Sequence, residues 1–131
     1  MTMGNGSTYA GEPTCTAKQA DAMLPELRER LGRIRGARQV MLGAAERIEA
    51  PVVADGDPHA DGNYWVASET LRVEVEWLAR QGIVLRDPET GLIDFPGERE
   101  GRRVFLCWRL GDDRVTFWHE LDTGCSGRKL L

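Results

Sequence analysis

The sequence predicts an α+β fold: a long kinked helix and a return helix form a hairpin, followed by an antiparallel meander of roughly four strands. Two observations carry this expectation. Apolar residues recur at helical spacing through the N-terminal part of the chain. The C-terminal part breaks instead into short apolar runs separated by turns rich in Pro, Gly and Asp. No internal repeat or linker divides the 131 residues, so they read as a flexible tail at 1–14 and one domain at 15–131.

The helical hairpin is assigned to residues 16–82. Thr16 offers an N-cap, and Gln19 three residues later completes a capping box. From there Ala20, Leu24, Leu27, Leu31, Ile34, Met41, Ala45 and Ile48 recur at alternating spacings of three and four. Arg38 takes the missing step of this seam, where Glu69 or Glu74 of the second helix would be its partner. Pro25 should kink the first helix or end a short initial segment. The stretch 50–63 is the connection, and Tyr64, Leu71, Val75 and Leu78 mark the second helix, which Gly82 stops. Val66, Val73 and Trp77 widen its apolar stripe beyond what one partner helix covers, which predicts a homodimer.

The sheet is assigned to residues 83–122 and a C-terminal loop to 123–131. Asp87 to Gly91 and Gly111 to Arg114 are its hairpin turns. A four-residue second loop pairs Leu110 with Val115, and so sets Trp108 opposite Phe117 and Leu106 opposite His119. That register places His119 on an apolar face. The opposite face then carries Arg103 and Arg109 against Glu120 and Asp122.

Composition excludes several classes of function. A formal charge of −4 argues against a nucleic-acid partner, because phosphate binding needs a basic field. No apolar run is long enough to span a bilayer, and the N-terminus lacks the pattern of a signal peptide. Cys15, Cys107 and Cys125 form an odd set without a CxxC pair, which describes reduced thiols in a cytoplasmic protein and not a disulfide framework.

His119, Glu120 and Asp94 are the candidate catalytic residues. A neutral imidazole among apolar neighbours can act as a general base, or can equally be a core histidine satisfied by one carbonyl. Asp94 stands out in an apolar strand, where a buried carboxylate needs a partner such as Arg99 or Arg103, or is an acid held for catalysis. Arg109, Trp108, Trp118 and Cys107 are the ligand-binding candidates, two aromatic walls and a cation beside a thiol. The same aromatics also suit a core. Cys107, His119 and Cys125, with Asp122 or Glu120, contain suitable zinc donors, but no two have the tight spacing of a structural site. No metal and no cofactor are therefore expected. Nucleophile elbow, phosphate loop, dinucleotide fingerprint and HExxH are all missing from the sequence.

Gly91-Leu92-Ile93-Asp94-Phe95-Pro96, Cys107-Trp108-Arg109-Leu110-Gly111, Trp118-His119-Glu120-Leu121, Gly124 and Gly127-Arg128 together resemble an uncharacterised bacterial family, domain of unknown function 2203. Residues Thr16 to Leu27 resemble its opening helix. Cys15 stands where the family has an aromatic, and Cys125-Ser126 where it has Phe-Ala. The resemblance implies the fold and a bacterial, cytoplasmic setting, but no activity. Two functions stay open: a homodimeric ligand- or partner-binding module with regulatory character, or a cofactor-free enzyme doing acid–base chemistry on a small organic substrate. A filled outer sheet face favours the first, and a deep cavity with converging charges the second.

Overall fold

Two helices precede a five-stranded antiparallel sheet in the computed structural model, which describes residues 13–49 and 62–131. The predicted tail at 1–14 lies outside the described residues apart from its last two, and so does most of the connection at 50–63. Helix α1 spans Ala17–Glu49 and α2 spans Gly62–Arg80. The strands are β1 (Val84–Asp87), β2 (Leu92–Arg99), β3 (Arg102–Arg109), β4 (Phe117–His119) and β5 (Lys129–Leu130), in that order across the sheet. β5 is a strand within the segment assigned above to a terminal loop.

The local signals act as their chemistry requires. The Gln19 N–H donates to Thr16 Oγ1 at 3.0 Å, and the Thr16 N–H donates to Gln19 Oε1 at 2.8 Å. This reciprocal capping box starts α1. Pro25 lies inside α1 and does not end it. Gly82, at φ 74°, stops α2. The Ile83 N–H reaches the Leu78 carbonyl at 3.0 Å and the Gly82 N–H reaches that of Ala79 at 3.0 Å, a Schellman motif. β2 and β3 meet through Glu100 and Gly101, both at positive φ, as a two-residue hairpin turn demands.

The core lies between the helices and one face of the sheet. Ala20, Leu24, Leu27, Leu31 and Ile34 of α1 and Leu78 of α2 pack with Ile93, Phe95, Val104, Leu106, Trp108 and Trp118. Beyond Ile34 the buried stripe shifts by one position, to Ala37 and Ala44, while Ala45 is exposed. The side chain of Ile48 lies outside the described residues. The shift turns Arg38 out of the seam, so its guanidinium lies 3.8 Å from Glu89 in the β1–β2 turn and not against Glu69 or Glu74.

Glu74 belongs instead to Arg30 at 2.7 Å and Arg33 at 2.8 Å, a polar clamp between the helices. Burial pushes the Glu74 carboxyl up, but hydrogen bonds and charge from Arg33 and Arg30 outweigh it and hold it below the usual carboxylate range. Arg30 also lies 3.9 Å over the Trp77 ring, so the chain itself covers part of the stripe assigned to a partner.

The β3–β4 register differs by one residue from the expected one. Cys107 faces Phe117, Leu106 faces Trp118 and Phe105 faces His119. The cause lies in the loop, which is not a free four-residue turn. Asp21 Oδ1 accepts the Val115 N–H at 2.7 Å, and Arg28 donates to the carbonyls of Asp112 at 3.3 Å and Asp113 at 3.0 Å. Helix α1 thus pins the loop, and pinning overrides the tight-turn geometry. A slip of one residue moves every side chain to the other face.

Candidate functional site

The register puts His119 beside Asp94 and Cys107 on the sheet face turned away from the helices. Asp94 pairs with Cys107 across β2 and β3, and His119 pairs with Phe105 across β3 and β4. The segment after β4 folds back over this face. Its short 3₁₀ turn, Cys125–Gly127, brings Cys125 onto Cys107 as a disulfide with Cα atoms 6.6 Å apart. The expectation of three unpaired thiols is thereby corrected. The odd count conceals one pair plus Cys15, whose half-buried thiol is pushed up by burial.

His119 is fully enclosed and Asp94 is 1% exposed. The His119 Nδ1–H donates to the Glu120 carbonyl at 2.7 Å, which leaves Nε2 facing Asp94 Oδ1 at 3.0 Å. Asp94 Oδ2 accepts from Arg86 Nε at 2.7 Å, and the Arg86 guanidinium also lies 5.0 Å over the Phe105 ring. Arg86 is the residue that sequence reasoning passed over. It sits at the irregularity between Leu85 and Asp87 in the β1–β2 ladder, and it replaces Arg99 and Arg103 as the partner expected for Asp94. The available signal was a lone carboxylate in β2 facing the one arginine of its hairpin partner.

The other candidates scatter. Trp108 and Trp118 lie on the helix side, in the core and not along a pocket with Phe105. The Trp108 indole N–H donates to the Asp112 carbonyl at 3.1 Å. Glu120 points away from His119 toward Arg102 at 2.6 Å, where that hydrogen bond holds its carboxyl below the usual range. Its expected partners were Arg103 and Arg109. Arg109 and Cys107 do share a cleft of about 150 Å³ with Leu92, Asp112, Phe117 and Arg128. Neither His119 nor Asp94 lines that cleft.

Of the zinc donors considered from sequence, the fold gathers Cys107, His119 and Cys125, and the fourth member is Asp94, not Asp122 or Glu120. Their ligand atoms all lie within 4.8 Å of one another. Distant strands supply the proximity that sequence spacing lacks.

Fold and site together define a helical hairpin on an antiparallel sheet, with a sealed polar centre clasped by the C-terminal segment. The chain belongs to the family described as Uncharacterized conserved protein (DUF2203), whose model matches residues 14–131. No curated protein and no solved structure matches it. Among the described residues, no helix is long and apolar enough to cross a membrane.

Proposed function

We propose that this chain is a cytoplasmic, non-catalytic binding module that self-associates as a homodimer through its helical hairpin. The supporting observation is the filled outer face of the sheet. A general base must reach its substrate, whereas His119 and Asp94 are enclosed beneath the C-terminal segment. The polar groups that converge there are spent on one another, Arg86 on Asp94 Oδ2 and His119 Nε2 on Asp94 Oδ1. This speaks against the acid–base alternative.

The hairpin supplies the binding surface. Val66 is 66% exposed and Val73 is 41% exposed one heptad further along α2, while Val40 and Leu42 are exposed on α1. Exposed apolar residues on the two helices of one hairpin are what an isologous dimer can bury. Sedimentation equilibrium at tens of micromolar should give twice the 14.6 kDa chain mass. Val66→Glu together with Val73→Glu should give the monomer with an unchanged circular dichroism spectrum. A wild-type chain that sediments only at 14.6 kDa overturns the reading.

A further inference from the structure

We propose that Cys107, Cys125, His119 and Asp94, with the disulfide reduced, form a closed binding site for one divalent cation of the zinc class. This site is independent of the hairpin surface and of the dimer reading. The donors are two thiolates, an imidazole nitrogen and a carboxylate oxygen, a combination suited to a borderline-soft ion. Their ligand atoms already lie within 4.8 Å of one another, and on reduction the two sulfurs part from bonding distance while the other donors close in. Tetrahedral zinc with bonds of 2.0–2.3 Å sets its ligand atoms about 3.3–3.8 Å apart.

The surroundings are those of a metal site. His119 Nδ1–H is held by the Glu120 carbonyl, which fixes the ring and aims Nε2 inward. Arg86 holds the outer oxygen of Asp94 and leaves Oδ1 facing Nε2. A neutral imidazole and a carboxylate present two acceptors to each other there, so a proton or a cation has to lie between them. Charge closes as well. A dication with two thiolates and one carboxylate carries one negative charge, which Arg86 neutralises. Cys107 lines a cleft from which a reductant can meet the disulfide, and its reduction frees the C-terminal segment that encloses the other donors.

The redox chemistry balances simply. A dithiol reductant gives the Cys107–Cys125 bond two electrons and two protons and becomes a disulfide itself. The two thiols then lose their protons to solvent as the metal binds. A reducing compartment therefore favours the metal form. A disulfide oxidant that takes two electrons from the two thiolates closes the Cys107–Cys125 bond, is itself reduced to a dithiol, and ejects the ion.

The full chain, reduced with a dithiol that is then removed without oxygen, is titrated with zinc by calorimetry and with cobalt by absorption. Expected is about one equivalent of zinc, with cobalt showing tetrahedral ligand-field bands and thiolate charge-transfer bands. The oxidised chain should bind neither metal. Cys125→Ser, on a partly exposed turn, should weaken zinc binding at least about tenfold, and Asp94→Asn likewise. No uptake by the reduced, folded chain overturns the site. So does equal uptake by the oxidised chain, or affinity unchanged in Cys125→Ser.

Discussion

His119→Ala is expected to lower the melting temperature by roughly 10 °C while leaving the surviving fold recognisable by circular dichroism. Two losses add. The ring is fully buried, so its removal leaves a cavity under the C-terminal segment. Asp94 Oδ1 loses its partner at 3.0 Å in a place water does not reach, and the Glu120 carbonyl loses its shortest hydrogen bond. Together these cost about 3–4 kcal/mol. Asp94→Asn should cost less, because the amide keeps the shape and can still meet His119 Nε2. Thermal unfolding of both variants checks the order. An unchanged midpoint for His119→Ala would remove His119 from the framework of the fold.

Reduction of the Cys107–Cys125 bond in the presence of a chelator should cost about 3 kcal/mol, since it opens a loop with a sequence separation of 18. The C-terminal segment then depends on the β4–β5 pairing and on the Leu131 N–H, which donates to the Thr116 carbonyl at 2.8 Å. Melting should therefore begin there, and amide exchange of residues 123–131 should rise before that of β2 and β3. Cys125→Ser should melt at the temperature of the reduced wild type and ignore added reductant. Equal melting temperatures for oxidised and reduced wild type, with free thiols verified by titration, would contradict the clasp.

The sequence made the elements legible where the signal is local. A capping box needs only Thr16 and Gln19, and a helix stop needs only a glycine free to take positive φ at position 82. The amphipathic stripes and the hairpin order follow from periodicity in the same way. What escaped depends on contacts between distant segments. The β3–β4 register could not be read from Gly111 to Arg114, because Asp21 and Arg28, far away in the chain, hold that loop. With the register went the face of His119, and with the face went its neighbours. Asp94 was conspicuous as a lone carboxylate among apolar residues, yet its partners come from β1 and β4. Cys107 and Cys125 looked unpaired, since only the fold-back over the sheet brings them together.

The claim that the His119–Asp94 centre is a sealed interior and not an acid–base catalytic site can be tested by chemical modification. The folded chain is treated with diethyl pyrocarbonate, and the modified residues are located by peptide mass spectrometry. A sealed structural centre predicts that His119 stays unmodified until the chain is unfolded, then reacts like a free imidazole. Modification of His119 in the folded chain at the rate of a free imidazole would contradict it.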